Sequence, residues 1–405
     1  MNGTQHRQIG KNAIDFLPED ARQYWLPREE LLKDASCFPD IFWPGEKSDP
    51  EYLRKYPDWR DCILIPVGNH KINCHSAFDT LRMEETYPPV LEFLVASAVS
   101  AIREENHERA AKFAGVLSHI IGDTGQAAHV CDPRLLAPLF QKDGDCYLIH
   151  TFLENNPKIR FPRHFHQAEP LGNSREEIQW RLLKKLQTLK RHSVGTIVPI
   201  MMAGLQNDWD EAGRHASETV AECADLFSDL LYSLFLAAQG RQVLSRPLSL
   251  LELEAEEYHC DGMFNFMPQK NFIPGNRFDQ PVPLDVGRGA EKGFALLPDL
   301  TPGYQETRKA FLDFSLPAKG FRLFSCDCGL NRRAPKNETA AVFRIFLDGK
   351  PVWESPELDA EAAPCHAEVR LNGEGRLRLQ VQDARRDALE TKFFHPCFIA
   401  PELIR

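Results

Sequence analysis

Apolar residues recur at intervals of three and four along most of the first 245 residues, and this spacing predicts long amphipathic helices. The polar run REENHE interrupts the first of the long segments and predicts a break between two helices. A first, shorter helix should end before Pro18. The predicted helices run from His6 to Leu17, from about Pro89 to His119 with the REENHE break, from Ser174 to about Leu205, and from about Trp209 to Gln239.

The apolar segments become shorter near residue 250. Segments such as AVFRIFLDG, HAEVRLNG and RLRLQVQDA are rich in Val, Phe and Leu, and the turn signals DG, NG and GEG separate them. This alternation with tight turns predicts β-hairpins. We therefore predict a multi-domain chain, with an all-α domain over residues 1–245, a linker over 246–280 and an all-β sandwich over 281–405.

Composition excludes some classes of function. The 405 residues carry a net charge of −10 with no block of like charge, so binding to a polyanion such as nucleic acid is the less favoured expectation. No apolar run approaches the roughly 20 residues of a transmembrane segment. The start, MNGTQHRQIG, has no basic stretch followed by an apolar core, so no signal peptide is visible. The 11 cysteines form no CxxC pair, which argues against a zinc ribbon.

The stretch SHIIGDTGQAAHVCD places ionisable side chains in an otherwise apolar helix. His119 and Asp123 are one helical turn apart, and Gln126 falls on the same stripe. His129 would lie roughly 80° round the same helix at ~100° per residue, so one helix is predicted to serve two adjacent metal positions. Buried ionisable groups need partners, and a divalent cation is a suitable one.

A second pair follows in IHTFLEN, where His150 and Glu154 are spaced i and i+4. One such His–acid pair is more often a surface pair than a metal site. Two pairs together with His129 favour a metal centre, because imidazole and carboxylate are the ligands of catalytic zinc.

The pattern HxxGDxxxxxH followed by HxxxE resembles the zinc-dependent phospholipase C family. The fungal single-strand nucleases share that family's fold, as does the N-terminal domain of the phospholipase D that cleaves glycosylphosphatidylinositol anchors. TQHRQIGKNAIDFL resembles the family's first helix, which assigns His6, and ASCFPDIFWPG resembles a loop that ends in an aspartate ligand, which assigns Asp40. A further histidine is offered by CHSAFD (His75) and by VGNH (His70), and His75 is preferred because SAFD matches the family's segment better.

The resemblance implies a mostly helical fold that holds two or three zinc ions. The third ion of the family is completed by the mature N-terminal residue, often Trp, whereas this sequence has Met1 five residues before His6. The resemblance implies a first site of Asp40, His75, His119 and Asp123, a second of His129, His150 and Glu154, and a third of His6 with Asp123 bridging.

The chemistry implied is hydrolysis of a phosphodiester by a metal-activated water, with Asp40 as the candidate general base. The expected substrate is a phospholipid or a glycolipid-linked phosphodiester. One alternative is a single-strand nuclease or nucleotidase, although those enzymes generally have Asp where this chain has Glu154. The other is a non-catalytic glycan- or lipid-binding protein with a structural metal site.

Between Pro18 and Pro89 the chain is rich in Pro and aromatic residues, which predicts loops with short helices. Its tryptophans are expected in the core, and the alternative is an apolar rim for a lipid or sugar. His164 and His166 are expected on the surface, with the cleft mouth as the alternative. The tryptophans concerned are Trp25, Trp43 and Trp59.

The C-terminal segment VFRIFLDGKPVWESPEL, with LRLQVQDA after it, resembles the NPCBM family of galactose-binding-like β-sandwiches. PVPLDVGRGAEKGFALLP resembles the opening of that module. The resemblance implies a glycan partner, and a packing or spacer domain is the alternative. Such modules work outside the cytoplasm, so a secreted or periplasmic origin with the leader absent is favoured over the cytoplasmic alternative that the free cysteines suggest.

Overall fold

The computed structural model describes residues 3–77, 82–131, 164–244, 246–260, 269–273, 282–298, 308–334, 339–384 and 395–405. The chain divides into two compact units, residues 1–244 and 245–405. The first is helical and the second is built from β-sheets, so the predicted order of an all-α and an all-β domain is confirmed. None of the helices in these residues is long and apolar enough to cross a bilayer.

Local signals account for the ends of the longest helices. Ser174 and Asp208 cap two of them by accepting hydrogen bonds from backbone N–H groups of the first turn. The predicted break at REENHE is present in the structure: Glu105 adopts a positive φ of 56°, and Asn106 caps the next helix. The helices are α1 Gly3–Asp15, α2 Glu19–Trp25, α3 Glu29–Ala35, α4 Phe38–Ile41, α5 Pro50–Lys55, α6 Trp59–Ile63, α7 Cys74–Ala77, α8 Met83–Arg103, α9 His107–Thr124, α10 Ala127–Val130, α11 Arg175–Leu205 and α12 Trp209–Ala238, and a hairpin of β1 Leu64–Val67 and β2 His70–Asn73 precedes α7.

Helix α9 is the central element of the helical unit. It packs against α1, α3, α8, α11 and α12, and every residue from Ala110 to Thr124 is buried. Gly115 permits the close approach of α3, because a Cβ there would lie 2.5 Å from the Cβ of Ala35. His119 and Asp123 are therefore held inside the core, where their polar groups need partners.

The prediction of one continuous helix from His119 to His129 is wrong. Helix α9 ends at Thr124, Gln126 is extended, and His129 lies on the separate short helix α10. Packing requires glycine at the break, since a Cβ at Gly125 would lie only 2.0 Å from the Sγ of Cys223 on α12. The Oγ of Ser193 on α11 donates a hydrogen bond of 3.0 Å to the Thr124 carbonyl, which satisfies a free helix-end acceptor.

The β unit consists of short strands and a few longer ones. The strands are β3 Leu248–Ser249, β4 Glu257–His259, β5 Gln269–Lys270, β6 Phe272–Ile273, β7 Val282–Pro283, β8 Gly293–Ala295, β9 Lys309–Ser315, β10 Leu323–Leu330, β11 Ala340–Leu347, β12 Lys350–Glu354, β13 Leu358–Asp359, β14 Cys365–Arg370, β15 Arg376–Asp383 and β16 Pro396–Ile404. They form a sandwich of two antiparallel sheets, one with the strand order β14-β10-β16-β8-β5 and the other with the order β12-β11-β15-β9-β4. Aromatic rings from the two sheets meet in the interior, where Phe294 contacts Phe314 and Phe343 contacts Phe398.

The segment predicted as a linker, 246–280, contributes strands to this unit. Strand β3 pairs with β16, β4 with β9 and β5 with β8. The segment shows little periodicity because its strands are only two or three residues long, and backbone pairing with distant strands places them.

Candidate metal centre

Six of the predicted ligands meet in the helical unit. His6 comes from α1, Asp40 from α4, and His75 from α7. The same place receives His119 and Asp123 from α9 and His129 from α10. The remaining two predicted ligands, His150 and Glu154, lie outside the described residues.

Asp123 lies at the centre of the group. Its Oδ2 is 3.1 Å from the Nε2 of His119, and its Oδ1 is 3.4 Å from the Nε2 of His6. The same Oδ1 is 3.8 Å from the Nε2 of His129. One carboxylate thus faces three imidazoles that come from three helices.

Asp40 forms the second carboxylate of the group. Its Oδ1 is 3.2 Å from the Nε2 of His75 and 3.7 Å from the Nε2 of His119. Two ligand atoms bound to one tetrahedral zinc ion lie about 3.3 Å apart, given metal–ligand distances near 2.0–2.1 Å. The observed spacings are therefore those of side chains that can share a cation. Two triplets of ligand atoms, His6–Asp40–His119 and His75–His119–Asp123, each lie within 4.8 Å of one another.

The buried histidines leave nitrogens without hydrogen-bond partners. His6 and His119 are fully buried, and their rings stack with centroids 4.3 Å apart. Among the described residues, neither ring nitrogen of His6 nor the Nε2 of His119 makes a hydrogen bond of acceptable geometry. The Nδ1 of His119 lies 2.9 Å from the backbone oxygen of Ser36. A proton on Nδ1 directs the lone pair of Nε2 toward the carboxylates, which is the tautomer that a metal ligand needs.

The electrostatics keep the two carboxylates of the group ionised and His6 neutral. Burial lowers the pKa of His119, but the charge and hydrogen bond of Asp123 outweigh it and raise that pKa above its usual value, so a bound cation would have to displace a proton from His119. Burial and the charge of His119 lower the pKa of His6 to about 4, so His6 is neutral at pH 7. Burial acts to raise the pKa of Asp40, but the hydrogen bond from His75 and the charge of His119 outweigh it and hold that pKa at about 2. The pKa of Asp123 also lies well below its usual value, because the charges of His119 and His129 outweigh its burial.

The group is closed on one side and open on the other. The side chains of His6 and His119 are 0% exposed, whereas those of Asp40 and His75 are 43% and 32% exposed. His129 is partly exposed as well. Ligands on the open side could therefore reach a substrate, as a catalytic metal site requires.

The other candidate histidines lie elsewhere. His70 is exposed on strand β2, while His75 lies in the group, and the preference for His75 as a ligand stays a prediction. His164 and His166 pair with Asp225 and Asp229 of α12, at 2.7 and 2.8 Å.

Two supporting residues were not found by sequence reasoning. The carbonyl of Ser36 orients His119, and no side-chain pattern signals a backbone acceptor. Gly122 makes room for His6, because a Cβ at this position would lie 2.7 Å from the Nδ1 of His6. A signal for Gly122 was present, since the glycine belongs to the HxxGD pattern.

Comparison with solved structures finds similarities across both units, all at low sequence identity. Alpha-toxin of Clostridium perfringens, from the avian strain SWCP, is 11% identical with a TM-score of 0.39, and 99% of this chain and 98% of that chain are covered. A CBM51 domain of Clostridium perfringens GH95 in complex with methyl-galactose is 18% identical with a TM-score of 0.29, covering 39% of this chain and 99% of that one.

The M60 catalytic domain of Clostridium perfringens ZmpB with its two CBM51 domains is 18% identical with a TM-score of 0.29. The match covers 40% of this chain and only 16% of that one. No curated protein matches the chain. A family model does match: residues 308–393 match the NPCBM/NEW2 domain, so the β unit contains an NPCBM domain.

Proposed function

We propose that the helical unit is a zinc-dependent phosphodiester hydrolase of the phospholipase C type, which acts on a phospholipid or a glycolipid-linked phosphodiester. One observation carries the proposal: the buried Nε2 atoms of His6 and His119, which have no hydrogen-bond partners, lie beside the carboxylates of Asp123 and Asp40. A buried polar atom without a partner costs about 1–3 kcal/mol, so such a group persists where a ligand satisfies it. Neutral imidazoles and ionised carboxylates are the ligands that zinc prefers in catalytic sites.

The residues on the closed side would hold the metal. His6, His119 and Asp123 are buried, because α9 packs against five other helices and Gly122 lets the His6 ring lie against it. The contact between His119 and the Ser36 carbonyl fixes the tautomer. When bound, zinc supplies Lewis-acid chemistry that polarises a phosphoryl oxygen and makes water acidic enough to react at neutral pH.

The residues on the open side would face the substrate. Asp40 is ionised over the whole physiological range, since its pKa is about 2, and its oxygens can orient a water molecule by accepting a hydrogen bond from it. The Nε2–H of His75 donates to the Oδ1 of the ionised Asp40 at 3.2 Å and thereby limits the rotation of that carboxylate. We assign Asp40 the role of general base and His75 and His129 the role of additional ligands. His150 and Glu154 complete the second site in this proposal.

The NPCBM domain extends the proposal to a glycan partner. Modules of this kind accompany enzymes that act outside the cytoplasm, which is compatible with a lipid or glycolipid substrate at a cell surface. We propose a secreted or periplasmic location on this basis.

Zinc content and substrate choice test the proposal. The metal-replete full-length protein should contain at least two zinc ions by elemental analysis, and it should hydrolyse phosphatidylcholine faster than single-stranded DNA. His75→Ala should lower the zinc content and abolish hydrolysis, while His70→Ala, five residues away and exposed, should leave both unchanged. Less than one zinc ion per chain would refute the proposal, and preferential cleavage of DNA would favour the nuclease alternative.

A further inference from the structure

Three cysteines of the β unit lie on the same face of two neighbouring strands. Cys326 and Cys328 belong to β10, and Cys365 is the first residue of β14; all three are free thiols. Side chains two residues apart on a strand point to the same side of the sheet, and here that side is the interior, because Cys326 and Cys328 are buried. In the antiparallel register of the two strands, Cys328 lies directly opposite Cys365, so the third thiol is on this side too.

The Cys328–Cys365 pair has nearly the geometry of a disulfide. Residues directly opposite each other in an antiparallel pair have Cα atoms about 4.5–5.5 Å apart, and disulfides join residues whose Cα atoms are about 4.4–6.8 Å apart. The Cβ atoms of such a pair are about 4.5–5.5 Å apart, against about 3.5–4.5 Å in a disulfide, so the strands need to approach by only about 1 Å. The register of β10 with β14 continues without a bulge from Leu323 to Cys328.

Cys326 is a close thiol but a poorer partner. Its Sγ is 3.9 Å from the Sγ of Cys328. The Cα atoms of these two residues are about 6.4–6.8 Å apart, however, because a strand rises about 3.2–3.4 Å per residue, and this is the upper limit for a disulfide. Cys326 lies opposite Ala367, so it faces Cys365 only along a diagonal of about 7–8 Å. The register therefore favours Cys365 as the partner of Cys328.

Cys365 gives an oxidant access to the pair. It is partly exposed, and it begins β14, which is the outermost strand of its sheet in the described part of the chain. The end of an edge strand opens more readily than the core of a sheet. Burial raises the pKa of both the Cys365 and the Cys328 thiol, so both are protonated at neutral pH and their oxidation should be slow.

We propose that Cys328 and Cys365 form a disulfide in an oxidising environment and that this bond links β14 covalently to β10. The oxidant is a small-molecule disulfide such as oxidised glutathione. The Cys365 thiolate attacks one sulfur of that disulfide, whose S–S bond breaks, and one glutathione leaves as a thiolate that takes up the proton lost by Cys365. The Cys328 thiolate then attacks the Cys365 sulfur, and the second glutathione leaves in the same way. Two cysteine thiols are thereby oxidised, and one glutathione disulfide is reduced to two glutathione molecules.

The bond would stabilise the β unit. It closes a loop over residues 329–364, which include β11, β12 and β13. Closing this loop lowers the conformational entropy of the unfolded chain, so oxidation should raise the Tm of the β unit by about 5–15 °C. The inference does not depend on the proposed hydrolase, because all three cysteines belong to the β unit.

Peptide mapping of the full-length protein tests the inference. The protein is incubated with excess oxidised glutathione, its remaining thiols are alkylated, and it is digested without reduction. Trypsin releases residues 323–332 and 345–370 as separate peptides, and a protease that cuts before Asp327 separates Cys326 from Cys328. Mass spectrometry should find the Cys328 peptide joined to the Cys365 peptide with the loss of two hydrogen atoms. Excess reduced glutathione should separate the two peptides again.

Matched variants assign the bond. Cys365→Ala should abolish both the cross-link and the rise in Tm on oxidation, whereas Cys326→Ala, on the same strand and face as Cys328, should keep both. A link between Cys326 and Cys328, a link between two copies of the chain, or no link would overturn the inference, and with no link the three cysteines serve only as small apolar residues. A mapped Cys328–Cys365 bond without a rise in Tm would refute the stabilisation of the β unit.

Discussion

Gly122→Ala should damage the metal centre without changing any candidate ligand. A Cβ at residue 122 would lie 2.7 Å from the Nδ1 and 2.8 Å from the Cε1 of His6. Both distances are about 0.7–0.8 Å shorter than the carbon contact distance of about 3.5 Å. His6 has little room to retreat, because it is fully buried and stacks on His119.

The expected magnitude follows from two opposing effects. Overpacking a core costs about 1–3 kcal/mol, while replacing Gly by Ala inside a helix contributes about 0.5–1 kcal/mol. The variant should therefore be less stable by about 1–2 kcal/mol, which lowers the Tm of the helical unit by about 2–8 °C. Displacement of His6 should weaken zinc binding by about tenfold to a hundredfold, as for other changes to groups that orient metal ligands.

Gly195→Ala is the matched control. Gly195 lies in helix α11, and a Cβ there would meet nothing within 4 Å. This variant should be more stable by about 0.5–1 kcal/mol and should bind zinc normally. The assays are differential scanning calorimetry and competitive zinc titration with a chromophoric chelator. If Gly122→Ala keeps the zinc affinity and Tm of the wild type, the packing of His6 against α9 does not support the site and the reasoning is refuted.

Three further results are expected. Gly125→Ala should lower the free energy of unfolding by about 2–3 kcal/mol, because the new Cβ would lie 2.0 Å from the Sγ of Cys223. Adding Cys223→Ala removes this Sγ and should restore at least half of the loss, as measured by urea unfolding. Strictly additive losses in the double variant would contradict this. Burial lowers the pKa of His166, but the hydrogen bond and charge of Asp229 outweigh it and raise that pKa above its usual value. Burial also raises the pKa of Asp229, which opposes its ionisation. The His166–Asp229 pair should therefore contribute only modestly to the free energy of unfolding. The stabilisation by the His166–Asp229 pair should be complete below pH 6.5 and should be lost as the pH rises through the raised pKa of His166. In thermal unfolding at pH 5.5 and pH 8, Asp229→Asn should reduce the difference in Tm between the two pH values. A difference equal to that of the wild type would count against the pairing. Asp123→Asn should lose at least one zinc ion by elemental analysis while its far-ultraviolet circular dichroism stays that of the wild type, and full zinc retention would exclude Asp123 as a ligand.

The architecture was predictable because its signals are local. The predicted helices Ser174–Leu205 and Trp209–Gln239 correspond to α11, Arg175–Leu205, and α12, Trp209–Ala238. Apolar periodicity marks the buried face, and side-chain caps such as Ser174 mark the start. The short strands of 246–280 carried no such signal, since partners far away in the chain pair with them.

The candidate site was only partly predictable. Spacing alone pairs His119 with Asp123, because residues one turn apart share a helix face. The same reasoning extended the helix to His129, whereas in the structure the helix ends at Thr124 and Gln126 is extended, which no side-chain periodicity signals.

The sequence by itself determined the class of each domain, the two-part order of the chain and the ligand types available on α9. The resemblance of short motifs already implied that His6, Asp40 and His75 join them, and the tertiary structure shows these side chains close together. Only the tertiary structure decided that the group is closed at His6 and open at Asp40, and that Trp43 lies exposed beside it. The physical reason is that periodicity and capping act within one element, whereas a metal centre is formed by side chains whose helices meet only when the core packs.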